Sequence, residues 1–457
     1  MSLMVSVSGV RGVVGEGLTP HAVMRYTCSF VRITGKKRGT YLIGKDTRRS
    51  GPAIERIVEG TISSLGHDVV NIGVSPTPTV LFCTRKLGCN GGIAITASHN
   101  GPAWNALKFC DSRGLFLDEA GIKALSREDG PSPSWKRSGS IGSITSNSMA
   151  RMLHIDEVLQ FIDEKRIREQ KFRVAIDPVG SSGTAVDTEF LERLGCSVFG
   201  VHDRPIGTFP RGPEPVPENL EDLCRLVRSK EADIGFAQDP DGDRLSVVSE
   251  EGVAIGEEYT LVLAGESYLR HHRSDVVCNL STSMMVEDLA DRFGVAVRRT
   301  KIGEINVTKG LLSHKASFGG EGNGGVIITT VNPCRDSIVG MGLILQLLAE
   351  SGKTVSDIVS IIPVYHMRKE KLDLGCMSSD LLYERLRREA EKYFYNYELN
   401  TLDGIKYHNK SEWIHMRLSN TEPVMRIMAE SATSERTNEL ITIGRDIAAA
   451  LKKLDNC

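Results

Sequence analysis

The sequence predicts an α/β protein: three similar mixed α/β domains followed by a C-terminal α+β domain. Three observations predict it. From residue 41 onward, short apolar strands alternate with helix-length segments, the pattern of βαβ units. That stretch divides into three runs of roughly 100 residues with similar layouts, a common domain size. Beyond residue 366 the order changes to a charged helix, two alternating strands and a last helix, which reads as strand pairs packed on helices.

In the first run, Tyr41 to Gly44 and Val69 to Val74 read as strands, with Ile54, Ile57, Val58, Ile62 and Leu65 at helical spacing between them. Pro78 to Leu87 continues as a helix and Gly92 to Thr96 as a strand. The Ser/Gly/Pro-rich stretch from Glu128 to Asn147 reads as a linker. The second run has strands at Arg173 to Asp177, Cys196 to Val201 and Asp233 to Ala237, and helices at Thr184 to Leu194 and Leu220 to Ser229. The third has a helix at Tyr259 to Leu269, strands at Val276 and Val295, a helix near Ile305 and a strand at Ala316 to Phe318. The most apolar segment, Ile338 to Ala349, is too short to span a bilayer and reads as a buried helix. The last region has a helix from Asp380 to Tyr393, strands at Glu412 to Leu418 and Val424 to Ala429, and a helix to Leu454. The expected domains are 1–150, 151–255, 256–366 and 367–457.

Composition bounds the function. The chain has 457 residues, 40% hydrophobic and 25% charged, which excludes a disordered chain. A formal charge of −2 shows no global footprint for nucleic acid or an anionic membrane, though a local basic site remains compatible with it. Ten cysteines form no C-x-x-C and no zinc-finger spacing, and are expected as reduced thiols. The N-terminus lacks a basic region followed by an apolar one. The expectation is a soluble cytoplasmic protein without nucleic-acid or membrane partners, monomeric or homodimeric.

Four segments carry chemistry. Asp239-Pro240-Asp241-Gly242-Asp243-Arg244 follows a strand, and carboxylates at alternate positions of a kinked loop converge on one cation; an all-oxygen set suits Mg²⁺. An EF-hand is the rival, but Arg244 stands where that loop needs Gly and both flanks read as strands. Thr96-Ala97-Ser98-His99-Asn100 leaves the carboxyl end of a strand, where α/β proteins place chemistry. A hydrolase reading of Ser98-His99 lacks the G-x-S-x-G elbow. Gly319 to Gly325 holds five glycines in seven residues, either a flexible loop or backbone closely approached by a ligand, with Glu321 and Asn323 then the side chains suited to sugar hydroxyls. Arg417-Leu418-Ser419-Asn420-Thr421-Glu422-Pro423-Val424-Met425-Arg426 joins the last two strands, and its two guanidiniums with Ser419, Asn420 and Thr421 make a plausible cup for phosphate.

In order and over essentially the whole length, these segments resemble the α-D-phosphohexomutase superfamily of phosphoglucomutases, phosphomannomutases and phosphoglucosamine mutases. Ser8 to Gly12 is similar to the family's G-I-R-G segment, Thr96 to Asn100 with Asn105 and Lys108 to its phosphoserine motif, and Asp239 to Arg244 is identical to its metal loop. Phe209 to Pro215 and Pro217 to Leu220 resemble a further family segment.

The resemblance implies four domains around a central cleft, the fourth TATA-box-binding-protein-like. It implies a phosphoserine at Ser98, Mg²⁺ on Asp239, Asp241, Asp243 and the Ser98 phosphate, and a hexose 1,6-bisphosphate activator. The substrate would be a hexose phosphate (glucosamine, glucose or mannose) whose phosphate moves between C1 and C6. Arg11 and Arg244 would hold the transferring phosphate, and the segment from Arg417 to Arg426 the other one. Three departures stand out: Gly101 precedes Pro102, Ala106 replaces a frequent Gly, and Gly325 replaces a His assigned acid/base work in many bacterial members, a form similar to archaeal-type phosphoglucosamine mutases. Lys108, with its pKa lowered by burial, then becomes the candidate proton carrier, or else a fixed charge on phosphate. Arg335-Asp336 contributes charge without an assigned role. The alternatives are a metal-dependent sugar phosphatase and a catalytically silent sugar-phosphate-binding protein.

Overall fold

The computed structural model describes residues 3–35, 37–127, 133–373, 382–418 and 424–454. Their strands form four sheets. The first contains Met4–Ser6 (β1), Gly9–Val13 (β2), Thr40–Lys45 (β3), Asp68–Val74 (β4), Gly91–Ile95 (β5), Trp104–Asp111 (β6) and Ile144–Ser146 (β7). The second contains Arg173–Asp177 (β8), Ser197–Gly200 (β9), Ile234–Gln238 (β10) and Leu245–Ser249 (β11). The third contains Val276–Asn279 (β12), Val297–Thr300 (β13), Phe318–Glu321 (β14) and Gly325–Ile328 (β15). The fourth contains His366–Asp373 (β16), Glu398–Asn400 (β17), Ile405–His408 (β18), Glu412–Leu418 (β19) and Val424–Ser431 (β20).

The repeat read from the sequence is a repeat of topology. The orders β6-β5-β3-β4, β11-β10-β8-β9 and β15-β14-β12-β13 are the same arrangement three times. In each, three parallel strands end in an antiparallel hairpin partner, so the sheets are mixed. The hairpins β5–β6, β10–β11 and β14–β15 each carry one of the singled-out motifs in their connection. The fourth sheet is antiparallel, order β16-β20-β19-β18-β17, with helices Leu382–Glu391 and Ser434–Leu454 packed on one face.

The second and third sheets share one apolar core. Helix Ser337–Ser351, buried on all sides except near its end, lies within that core. A helix that is apolar all round must be enclosed on all sides, and this is why the apolar segment after Asp336 belongs in the interior. Asp336 caps it, accepting from the N–H groups of Ile338 (3.1 Å) and Val339 (3.4 Å).

Several expectations are corrected. The stretch read as a linker contributes β7, a polar edge strand pairing with β4, whose exposed side chains give no apolar signal. Of the two readings of the glycine run, the flexible loop is set aside. Gly319 and Gly320 lie within β14, and Gly325 begins β15; a Cβ on Gly319 would meet the Val277 carbonyl oxygen at 2.1 Å, so close packing selects glycine there. Strands β16 to β18 and helix Ala150–Phe161 also lie where the pattern named no element. No described helix is long and apolar enough to cross a membrane. The eight described cysteines are free.

Candidate active site

Ser98 sits just past the C-terminal end of β5, buried, with φ = +48°. A non-glycine residue in the left-handed region costs of order 1–3 kcal/mol and persists only where its surroundings hold it. Here the surroundings are Arg48. Its Nη2 donates to the carbonyls of Ser98 (2.6 Å) and Asn100 (2.7 Å), and its Nη1 to those of Gly101 (2.6 Å) and Trp104 (2.9 Å). Its Nε binds Asp46 Oδ2 at 2.9 Å, an oxygen that also accepts from Thr96 Oγ1 at 2.7 Å. The Thr96 hydroxyl accepts in turn from the Ser98 N–H at 3.0 Å. The bend is therefore tied to β3 and β5 through one fully buried ion pair.

The Ser98 hydroxyl donates to Asp239 Oδ2 at 2.7 Å. Asp239, Asp241 and Asp243 are buried, and one oxygen from each lies within 4.8 Å of the others. Asp241 Oδ2 accepts from Lys108 Nζ (2.5 Å) and Thr77 Oγ1 (2.6 Å); Asp243 Oδ2 accepts from Arg335 Nη2 (2.6 Å). The second oxygens, Asp241 Oδ1 and Asp243 Oδ1, are buried without a hydrogen-bond partner. Unpaired buried carboxylate oxygens are costly. Two of them beside a third carboxylate suit a hard divalent cation that takes oxygen ligands. Burial, then Asp243 and Asp241, push the Asp239 carboxyl well above its ordinary value. Burial would do the same to Asp241, but Lys108 and the hydrogen bonds outweigh it and hold that carboxyl below. Strands β10 and β11 flank the loop, as expected for this site and not for an EF-hand.

Lys108, on β6, is buried, which lowers its pKa, yet Asp241 and Asp243 raise it further and the net direction is upward. The lowering expected from burial is thus reversed by the two carboxylates, and the ammonium stays charged. Arg11, on β2, donates to Asn100 Oδ1 at 2.6 Å. Arg244 donates to Glu214 Oε1 (2.6 Å) and to His99 Nδ1 (3.0 Å), and its Nε is buried without a hydrogen-bond partner. Burial, then Arg244 and Arg11, push His99 down to about 3, so its ring is neutral and accepts that bond.

Arg335 ties the three-carboxylate site to Glu321, at the end of β14. Beyond Asp243, it donates to Glu321 Oε2 (2.8 Å) and Glu304 Oε2 (3.2 Å). Glu321 Oε1 accepts from Asn279 Nδ2 (2.8 Å) and the Gly303 N–H (3.1 Å). Asn323, in the turn between β14 and β15, has a buried side-chain oxygen without a hydrogen-bond partner. Gly325 is empty of side chain because Arg335 occupies the space: a Cβ there would meet Arg335 Cδ at 2.2 Å.

Arg417 and Arg426 are directly paired across β19 and β20. Like charges opposite one another are destabilising. Arg417 has an acidic neighbour, Asp403 at 3.2 Å. Ser419, Asn420 and Thr421, read with them as a phosphate cup, lie outside the described residues.

Four family models match in order: phosphoglucomutase/phosphomannomutase alpha/beta/alpha domain I at residues 3–128, domain II at 153–252, domain III at 256–365, and the C-terminal domain at 381–442. The chain belongs to the phosphoglucomutase/phosphomannomutase family. It is 31% identical to a phosphoglucomutase/phosphomannomutase of Thermococcus kodakarensis, covering 97% of this chain and 98% of the relative. It is 33% identical to a probable phosphoglucosamine mutase of Methanopyrus kandleri, covering 95% of each. Its fold matches the crystal structure of a putative phosphomannomutase from Thermus thermophilus with a TM-score of 0.83 and 25% identity, covering 98% of this chain and all of that one.

Within this family frame, Arg48, Thr77 and Glu304 are site residues that the sequence reading missed. The available signal for Arg48 was its place: Asp46-Thr47-Arg48 leaves the C-terminal end of β3, the neighbour of β5. Nothing local marks Thr77, the first residue of helix Thr77–Lys86, which reaches Asp241 in the loop between β10 and β11.

Proposed function

We propose that this family member moves a phosphoryl group between O1 and O6 of a hexose phosphate, with Ser98 as carrier. The observation that carries the reading is Ser98 Oγ at 2.7 Å from Asp239, inside a buried three-carboxylate site with unpaired oxygens. Asp239, Asp241 and Asp243 would hold Mg²⁺, which when bound offsets charge on the transferring phosphoryl group. Arg11 and Arg244 flank the same loop as cations for its oxygens. Glu321 and Asn323 receive the sugar hydroxyls, and Arg417 and Arg426, with Ser419, Asn420 and Thr421, hold the phosphate that is not transferred.

In the first half-reaction the bond from Ser98 Oγ to phosphorus breaks as a bond forms to the free sugar hydroxyl, giving a hexose 1,6-bisphosphate. The hydroxyl proton leaves to a base. After the sugar turns over in the cleft, the opposite phosphate returns to Ser98. Lys108 stands at the site as a fixed cation in the present geometry, paired with Asp241, and its part as proton carrier requires that pair to loosen. The bisphosphate is then also the activator that charges an unphosphorylated Ser98.

The test is a panel of glucosamine, glucose and mannose 1-phosphates with Mg²⁺ and a hexose 1,6-bisphosphate. A mutase forms the 6-phosphate, a phosphatase releases inorganic phosphate, and a binding protein does neither. Intact mass should show one phosphate adduct that Ser98→Ala removes; full mutase turnover by Ser98→Ala would reject the reading.

A further inference from the structure

We propose that a basic cavity on the first domain, away from the cleft, binds a soluble polyphosphorylated metabolite of nucleotide size. The cavity measures about 1100 Å³. Arg25, Arg32, Lys37, Arg38, Arg127 and Lys136 line it, and no Asp or Glu does among the described residues. The whole chain has 56 Lys and Arg against 58 Asp and Glu, so the described lining is more basic than the chain as a whole. Arg38 is already paired with Asp68, at 3.1 and 2.8 Å. Arg32, Lys37, Arg127 and Lys136 form no ion pair among the described residues.

A further donor has a defined direction. His67 lines the cavity and is 8% exposed. Its Nδ1 accepts the Gly39 N–H at 3.3 Å. Burial, then Lys136, push its pKa down, so the ring is neutral and its proton sits on Nε2. Met24, Val31 and Leu65 add apolar wall. Cations with an apolar wall match a phosphate chain attached to an organic body, and the volume exceeds what orthophosphate requires.

The cavity runs along helix Pro20–Thr34, from His21 to Gly35, and none of Arg11, Arg48, Ser98, Lys108 or the three aspartates lines it. Its walls include the C-terminal ends of helices Pro20–Thr34 and Gly51–Ser64, which lead into the starts of β3 and β4. Ser98 and Asp46 lie past the C-terminal ends of β5 and β3, a strand length of about 20 Å from the starts of β3 and β4 where Gly35, Leu65 and Gly66 line the cavity. Cations at helix C-termini also complement the macrodipole, but only Arg32 lies in a last turn. Arg127 and Lys136 come from other segments and converge on the same space.

The experiment uses the full-length protein in metal-free buffer, with ATP as probe and Trp135 as fluorophore. Trp135 is 48% exposed and stands between two lining residues, Ser134 and Lys136. ATP is expected to bind saturably and to be displaced by pyrophosphate, but not by adenosine or by saturating glucose 6-phosphate. The double variant Arg32→Glu/Lys136→Glu should weaken ATP at least about tenfold, since each lost pair is a charge-assisted contact. Its mutase kcat/KM should stay within about twofold, which also reports that the variant is folded. The proposal is overturned if binding is not saturable, if the double variant binds ATP as the parent does, or if glucose 6-phosphate displaces ATP. It is also overturned if a single-stranded RNA oligomer binds the same residues more tightly than ATP, which would make the surface a nucleic-acid site.

Discussion

A left-handed serine needs a backbone that cannot relax, and the Arg48 guanidinium supplies it by saturating the carbonyls of Ser98, Asn100, Gly101 and Trp104. Arg48→Ala leaves those carbonyls and the buried Asp46 without their cation, a loss of about 3–5 kcal/mol in the manner of a broken buried pair. It should also lower kcat by ~10²-fold, because small displacements of a reacting group have effects of that size. Urea unfolding and steady-state kinetics check both; a stable, fully active Arg48→Ala would remove the loop-holding role. A second residue-scale consequence concerns pH. Burial pushes the Asp187 carboxyl up to about 8, against one hydrogen bond from Gln238 Nε2 at 3.1 Å. Gln238 Oε1 is buried without a partner, and a Cβ on Gly183 would meet it at 1.9 Å and Asp187 Oδ2 at 2.6 Å, so an acceptor stands near a protonated Asp187. The folded value lies above the unfolded one near 3.8. The stability from this group is therefore complete below the unfolded value and lost as pH rises through about 8. Asp187→Asn should flatten the decline of the urea midpoint between those limits, and an unchanged slope would count against a neutral Asp187.

At the scale of elements, the hairpin recurs as the unit that presents chemistry. β5–β6 carries Ser98, β10–β11 the three aspartates, and β14–β15 the turn with Glu321 and Asn323. The tight turn at Gly324 has φ = +85° and faces the Leu245 carbonyl, which puts the β14–β15 turn against the strand leaving the aspartate loop. In the β19–β20 hairpin, Arg417 opposite Arg426 is a repulsive pair that an anion between them relieves. Arg426→Ala should therefore raise KM for both the 1-phosphate and the 6-phosphate while leaving the unfolding midpoint unchanged or slightly higher. A loss confined to one substrate, after allowance for the equilibrium constant linking the two directions, would contradict one shared cup. Gly325→Ala would push a methyl group into Arg335 Cδ, displacing the guanidinium that joins Asp243 to Glu321. Its expected signature is a fall in kcat larger than any rise in KM, measured over the same panel of sugars.

For the whole molecule, a cation held by the three aspartates would link folding to function. Three buried carboxylates converge from one loop, held by Lys108 and Thr77 of the first sheet's domain and Arg335 of the third. A divalent ion that binds only this folded arrangement adds RT ln(1 + [L]/Kd) to stability, about 2.7 kcal/mol at a hundred times Kd. Mg²⁺ should raise Tm of the chelated protein and restore turnover together, and Asp243→Asn should blunt both responses. Turnover by metal-free protein at the full rate would reject the cation site.

The amino-acid order by itself determined the alternation of strands and helices, the threefold division, the change of architecture after residue 366 and the identity of the motif residues. These are local properties: period, turn chemistry and short spacings are written along the chain. Edge strands such as β7 and β16 escaped it because their side chains are exposed or only partly buried and carry no apolar period. What only the tertiary structure decided depends on residues far apart in sequence. Arg48 meets its loop some fifty residues on, Thr77 at the start of a helix and Lys108 on β6 reach Asp241 from another domain, and Arg335 fills the space beside Gly325. The same holds for charge: burial alone lowers the pKa of Lys108, and the carboxylates that reverse the direction come from another domain, where no spacing along the chain could reveal them.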